Sequence, residues 1–404
     1  MFAVAAPGIS GLLANECEAM GLAPHEVSHA GVALQLDLDS LFLLNCWSRL
    51  ASRVIVRLGD FEARTFASLE RSAERLPWDL YISPKTPVQI RVTCRKSRLY
   101  HSDAVAERIG RVIDLVVPGS HVNPATDCED EHGARSVGGQ IHHRDEGDSP
   151  LSQLILVRLE RDHCTISVDS SGPLLHRRGW RLATAKAPLR ETLAAAMLAA
   201  VDWQGEVPLV DPFCGSGTIG IEAALRARHV APGLSRRFVM EYWPVTDTAA
   251  CDSVRKTART RVRPGVGVPV ILQDRDAGAI RAVEANARRA GVLQDIVVTR
   301  AALSNLDLKG IGTRGMILTN PPYGNRVSSD SDLRPLFARF GDILRGGGNG
   351  WNAAMLMPRN TSLLRQLRMP LSSLFTTSNG GLSVELLTSG KQKPQPWESA
   401  NTQS

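Results

Sequence analysis

No apolar run in this chain approaches the ~20 residues of a membrane-spanning helix, so no membrane span is expected. The opening Met1-Phe2-Ala3-Val4-Ala5-Ala6-Pro7-Gly8 is apolar but carries no basic residue. Pro7-Gly8 stops it early, so it reads as a first strand and turn rather than a secretion signal. Cys-x-x-Cys pairs are missing as well. The 7 cysteines stand apart at 17, 46, 94, 128, 164, 214 and 251, without metal-ligand spacing. An odd, dispersed set suits a reducing cytoplasm and argues against a disulfide framework or a structural zinc. His142-His143 lie in a polar stretch, where a solvated pair is expected and a metal site is not. No internal repeat is visible. Strong charge is also lacking: a net +6 is compatible with a polyanionic partner but does not demand one.

What the chain has is length, apolar content and a strong β/α pattern. Its 404 residues are 43% hydrophobic, enough for two or three domains at roughly 100–200 residues each. Residues 1–60 read as strand, helix, strand, helix, strand, a piece too small to stand alone that should pack on its C-terminal neighbour. Residues 61–169 read as a second small α+β unit. It has a helix near 65–75, a strand at 88–93, a basic turn Arg95-Lys96-Ser97-Arg98, a helix from 102 to 117 capped by Ser102 or Asp103, and a hairpin about 160–163. Between helix and hairpin, 123–150 is polar and charged and is expected to be a mobile insertion. Residues 170–390 alternate strands and helices, which implies an α/β, doubly wound parallel sheet of Rossmann-like type. The tail 391–404 is expected to be disordered.

Two motifs fall at strand ends of this last region, where such sheets bind ligands. The first is Asp211-Pro212-Phe213-Cys214-Gly215-Ser216-Gly217-Thr218, continuing to Gly220. Its G-x-G-x-x-G spacing is a weak signal alone, since the glycines could serve only a tight strand-to-helix turn. A nicotinamide or flavin site would want an acid about 20 residues on. The next strand-end acid is Asp274, displaced by an Arg- and Pro-rich insertion at 228–268. An acid at position 211 would repel a pyrophosphate. It suits the ammonium and sulfonium of S-adenosylmethionine (SAM), with Asp274 accepting from the ribose hydroxyls.

The second motif is Asn320-Pro321-Pro322-Tyr323, which follows the apolar strand Gly315-Met316-Ile317-Leu318-Thr319. The prolines stiffen the backbone and remove two N–H donors. The Asn320 side-chain oxygen and the Pro321 carbonyl can then accept both hydrogens of an exocyclic amine, while Tyr323 stacks on the base. Transfer would be an in-line displacement that rests on alignment and desolvation and needs no metal. Together the motifs point to amino-directed methylation and away from carbon methylation through a cysteine nucleophile.

The chain resembles, over most of its length, the guanine-N2-methylating half of the bacterial 23S rRNA methyltransferases of the RlmL family. The resemblance rests on Cys46-Trp47-Ser48-Arg49-Leu50-Ala51-Ser52-Arg53, Leu175-His176-Arg177-Arg178-Gly179-Trp180-Arg181 and Ala187-Pro188-Leu189-Arg190-Glu191-Thr192. It rests also on Ala231-Pro232-Gly233-Leu234, Asp274-Arg275-Asp276, Asn286-Ala287 and Thr319 through Gly324. It implies a ferredoxin-like unit at 1–60, a THUMP RNA-binding domain at 61–169 and a SAM-dependent methyltransferase domain at 170–390. It further implies cofactor binding by 211–218, Glu191, Thr192, Asp274 and Asp276, a target-base loop at 320–323, and rRNA as partner. The chain carries no second methyltransferase domain, so only the guanine-N2 activity is expected. Where the family has an Asp at the third strand's end, this chain reads Arg300-Ala301-Ala302-Leu303. The adenine contact is then expected from the backbone, Asn305 or Asp307.

Phosphate contacts are expected from Arg95, Lys96 and Arg98 in the second unit and from Arg177, Arg178 and Arg181 at the domain junction. Two other readings stay open on sequence alone. One is a non-catalytic RNA-binding assembly factor, motivated by the missing acid. The other is an enzyme on another amine, such as adenine N6 or a tRNA guanine N2.

Overall fold

The structure, a computed structural model, describes residues 1–123, 152–182, 189–323, 332–348, 350–359 and 361–390, without the side chains of His121 and Asn123. The polar insertion therefore lies outside the described residues except for Asn123, and the tail lies wholly outside them. Two β-sheets carry the described fold.

The first sheet has strands β1 (Phe2–Val4), β2 (Pro24–Ser28), β3 (Gly31–Leu34), β4 (Arg53–Glu62), β5 (Pro87–Arg95), β6 (His121–Asn123), β7 (Gln153–Glu160) and β8 (His163–Asp169). Their order is β2-β3-β1-β4-β8-β7-β5-β6. Helices α1 (Ser10–Ala19), α2 (Leu38–Trp47), α3 (Phe66–Ala73) and α4 (Ser102–Val116) pack on it. Strand β4 pairs with β1 on one side and β8 on the other, so the small first unit shares one continuous sheet with the second. β2 escapes the sequence pattern because Pro24-His25-Glu26-Val27-Ser28 is a polar, largely exposed edge strand. Helix α4 begins after His101 and has no side-chain cap, so Ser102 and Asp103 are its first residues and not its cap.

The second sheet has strands β9 (Leu209–Asp211), β10 (Val270–Asp274), β11 (Ile296–Arg300), β12 (Gly315–Thr319), β13 (Trp351–Pro358), β14 (Ser372–Asn379) and β15 (Leu382–Thr388). The order is β11-β10-β9-β12-β13-β15-β14. β9 through β13 are parallel, and β15 runs antiparallel to β13 and β14. Helices α5 (Glu191–Ala200), α6 (Thr218–Ala227), α7 (Thr248–Thr260), α8 (Ala277–Arg289), α9 (Leu308–Ile311) and α10 (Arg334–Gly346) complete this Rossmann-like domain. From β9 the chain builds outward through β10 and β11, then returns to β12 on the other side of β9. That reversal opens a crevice at the carboxyl ends of β9 and β12, where both sequence motifs stand.

The insertion between α6 and β10 folds back as a clamp onto the first sheet's layer. The Gly233 N–H donates to the Cys46 carbonyl at 2.8 Å. A Cβ at Gly233 would lie 2.8 Å from the Cys46 Cα, so no larger residue fits this approach. Phe238 packs edge-on against Phe42 with centroids 5.5 Å apart. The Arg255 guanidinium lies 4.8 Å from the same Phe42 ring while paired with Glu241. Trp243 Nε1 donates to Gln153 Oε1 at 2.7 Å.

Candidate active site

Strands β9 and β12 are direct parallel neighbours, with Leu209 opposite Met316 and Val210 opposite Ile317. Their ends are therefore adjacent, and Thr319 Oγ1 donates to Asp211 Oδ1 at 2.6 Å. This bond joins the glycine turn to the residue preceding Asn320. Both partners are buried. Burial pushes the Asp211 carboxyl up to about 7, while the bonds from Thr319 and from the Phe213 N–H pull it down. The first two glycines of the turn adopt left-handed backbone, φ 54° at Gly215 and 85° at Gly217. A Cβ at Gly215 would meet nothing within 4 Å, so this side of the turn is open space. Gly220 has a different reason: a Cβ there would fall 2.3 Å from Leu272 Cδ2, so it serves helix-to-strand packing.

The turn is held from β10. Gly215 N–H donates to Asp274 Oδ2 at 3.0 Å and Cys214 N–H to the Gln273 carbonyl at 3.1 Å. Cys214 is buried, and burial together with the Asp211 and Asp274 carboxylates raises its thiol well above the ordinary range. Among the described residues, no cluster of His, Cys, Asp and Glu could hold a metal.

Asn320 is half-buried, yet its Oδ1 is buried and accepts no hydrogen bond from any described residue. A buried acceptor left unmatched is costly and calls for an explanation. Pro321 is buried beside it and Pro322 half-buried. Tyr323 departs from expectation. Its ring is 1% exposed, and its hydroxyl accepts from Asn379 Nδ2 of β14 at 3.3 Å. As placed, Tyr323 anchors the loop in the core and offers no face for a base to stack on.

Several other expected roles are corrected by the packing. Asp276 is exposed and caps α8, with its two carboxylate oxygens accepting from Gly278 N (3.2 Å) and Ala279 N (2.9 Å), so helix capping accounts for its position. Glu191 is buried at the start of α5, and both its oxygens are taken by Arg181, 3.0 Å from Nε on one side. Thr192 is buried beside it. Arg181 is correspondingly no phosphate contact; its Nη1 also donates to the Leu189 carbonyl at 2.8 Å. Nor is Arg178. It is buried, with Nε 3.2 Å from Glu222 Oε1, Nη1 2.9 Å from the Leu175 carbonyl and Nη2 2.8 Å from the Arg49 carbonyl. Arg49 faces the other Glu222 oxygen at 3.5 Å. These arginines bolt the first sheet to α6, the helix that starts at the end of the glycine turn. Arg95, Lys96, Arg98 and Arg177 are exposed.

At the third strand's end, the two residues expected to stand in for the missing acid are engaged locally. The Asn305 oxygen accepts from Ser304 Oγ at 3.1 Å, and Asp307 caps α9 by accepting from Lys309 N at 3.1 Å. Gln273, buried, donates to the Ala302 carbonyl at 2.9 Å and fixes that backbone. Sequence reasoning missed Gln273, met Thr319 only as the end of its strand and in the resemblance, and met Asn286 only through the resemblance. Asn286 is fully buried and donates to the Ser216 carbonyl of the turn at 3.1 Å. Arg289 bonds Asn286 in turn and donates to the Trp180 carbonyl at 2.9 Å. Polar residues inside apolar strands and helices were the available signal.

The residues present fit S-adenosylmethionine. An acid stands at the first strand end, the glycine turn is open at Gly215, and a second strand-end carboxylate, Asp274, lies against that turn.

Comparison with known proteins agrees with this geometry. Residues 178–386 match the RMKL-like methyltransferase domain family, and residues 1–55 match the RlmL ferredoxin-like domain. A Synechocystis protein described as a candidate RNA methyltransferase is 32% identical over 96% of this chain and 95% of its own length. Ribosomal RNA large subunit methyltransferase K/L of Syntrophotalea carbinolica is 34% identical over 96% of this chain but 53% of its own. The chain thus spans about half the length of such K/L relatives. The crystal structure of SMU.472, a candidate methyltransferase complexed with S-adenosylhomocysteine (SAH), superposes with a TM-score of 0.81 at 26% identity, covering 97% of this chain and 98% of the other. The chain belongs to the RMKL-like methyltransferase family, with S-adenosylmethionine as its cofactor.

Proposed function

We propose that the chain is an RNA methyltransferase that forms N2-methylguanosine in 23S rRNA. The observation that carries this reading is the unmatched, buried Oδ1 of Asn320, one residue beyond the Thr319–Asp211 bond. An exocyclic amine has a donor for this oxygen and a second for the neighbouring Pro321 carbonyl. The names of the K/L relatives support rRNA as the substrate class.

In this reading Asp211 holds the ammonium of the cofactor, residues 212–218 cradle its methionine part, and Asp274 takes its ribose. The bound cofactor supplies an electrophilic methyl group. Asn320 and Pro321 orient the amine, and Pro322 and Tyr323 keep the loop in place. Because a paired guanine hides N2 within the helix, the loop must receive an unpaired base or one flipped out, at a cost of a few kcal/mol. Residues 61–169 act as the THUMP unit that grips RNA, with Arg95, Lys96, Arg98 and Arg177 as phosphate contacts. The first unit, 1–60, supports it through the shared sheet.

The test is incubation of unmodified large-subunit rRNA with labelled S-adenosylmethionine, then nucleoside analysis. N2-methylguanosine is expected. N6-methyladenosine would transfer the reading to the other amine these acceptors can hold. Cofactor binding absent at millimolar concentration would favour a non-catalytic RNA-binding factor.

A further inference from the structure

The basic turn after β5 contains more than charge. Leu99 is buried beneath it, while Tyr100 is 67% exposed on the outside. The Tyr100 ring lies against His101, with centroids 4.0 Å apart and planes tilted by 41°. The turn that presents this ring is held in place by the tip of the β7–β8 hairpin. Arg98 N–H donates to Asp162 Oδ1 at 2.7 Å, Asp162 N–H to Ser97 Oγ at 3.0 Å, and Arg161 N–H to the Arg95 carbonyl at 3.1 Å. Lys96, Arg161 and Asp162 accept left-handed backbone to make this junction, at φ 50°, 52° and 66°. A large aromatic ring is thus held in water by a fixed scaffold. The turn and the hairpin tip bonded to it carry the exposed cations Arg95, Lys96, Arg98, Arg158 and Arg161 against the carboxylates Glu160 and Asp162. The carboxylate of Asp162 is already occupied in holding the turn.

We infer that Tyr100, backed by His101, is a stacking platform for one unpaired base of single-stranded RNA whose phosphates run over Arg95, Lys96 and Arg98. An exposed aromatic among exposed cations matches the two recurring parts of single-strand recognition, a π-face for the base and positive charge for the backbone. A protein partner would not need the cations, and a duplex would not offer a base face. The inference rests on the RNA-directed reading above and assigns the second sheet unit a grip on single strands.

The experiment is equilibrium binding of the full chain, without cofactor, to a fluorescent single-stranded oligouridylate and to a duplex of equal length. Native protein should prefer the single strand. Tyr100→Ala should weaken single-strand binding about tenfold and leave duplex binding unchanged. Tyr100→Phe should restore it, because the ring and not the hydroxyl carries the stack. Leu115→Ala, an equally exposed apolar position at 69%, serves as the surface control and should change nothing. Photo-crosslinking with 4-thiouridine RNA should map to Tyr100 or His101. Equal binding by native and Tyr100→Ala proteins would overturn the inference, as would an equal loss on duplex or a crosslink confined to other residues. Methyl transfer is scored separately, so a Tyr100-dependent grip without N2-methylguanosine would defeat the proposed reaction and keep this site.

Discussion

The seam between the two sheets and the crevice at the ends of β9 and β12 are both rich in buried polar groups, yet they are finished differently. In the seam, Arg178 spends three nitrogens on Glu222 and two carbonyls, while Arg49 Nη1 and Glu222 Oε2 make no hydrogen bond but stand 3.5 Å apart as opposite charges. In the crevice, Asn320 Oδ1 is buried and receives nothing from the described residues, and the space beside Gly215 is open. Buried charges paired in this way hold a fold together, whereas a lone neutral acceptor with no counter-group beside open space is open to a ligand's donor. Arg178 and Arg181, which looked like RNA contacts, belong to the first class.

The sharpest test of that distinction is also the largest expected effect. Glu222→Ala leaves two buried guanidinium groups without their counter-charge and should cost ~3–5 kcal/mol of stability, read by urea unfolding. A near-native midpoint would show that these arginines reach water easily and would erase the contrast.

The crevice should respond to pH. Burial holds the free Asp211 carboxyl up at about 7, so below that pH a proton occupies the site proposed above for the ligand's ammonium. The affinity for SAH should fall as pH drops from 7.5 to 6, by at most about tenfold per unit, and Asp211→Asn should be weak and flat over this range. The sign for folding is consistent: a carboxyl raised in the native state contributes stability at low pH that is lost as pH rises through about 7. A flat native binding profile would remove the ammonium-holding role.

A smaller effect tests how the turn is held. Asn286→Ala removes the donor to the Ser216 carbonyl, a hydrogen bond worth ~1 kcal/mol. It should weaken SAH affinity several-fold by calorimetry and leave turnover at saturating cofactor near native. Lost stability with unchanged affinity would make Asn286 part of the scaffold only. The smallest effect belongs to the exposed turn. Lys96→Gln should leave stability within ~0.5 kcal/mol and lower the salt dependence of RNA binding by ~0.7 in slope.

The crevice was legible in the sequence because its signals are local. Val210-Asp211-Pro212 and Leu318-Thr319-Asn320-Pro321 each show an apolar run ending abruptly in a polar or rigid residue, and the β/α alternation between them puts both at one edge. The seam was not legible because its partners are remote. Arg178 meets Glu222 44 positions on, and nothing near either residue marks which way it faces. Tyr323 was misread for the same reason: its partner Asn379 lies on β14, 56 positions away. That strand itself was missed because its buried alternate positions include Thr377 and Asn379, which carry no apolar period. The cap formed by Asp276 was legible too, since an acid just before a helix is a cap as readily as a ligand.

The account stands or falls on Asn320. Asn320→Ala should be measured for SAH affinity by calorimetry and for methyl transfer to unmodified large-subunit rRNA under single-turnover conditions. The predicted result is affinity within about twofold of native and a transfer rate lower by ~10²–10³, the scale for removing one preorganised polar contact to a reacting group. A native transfer rate in this variant would contradict the account.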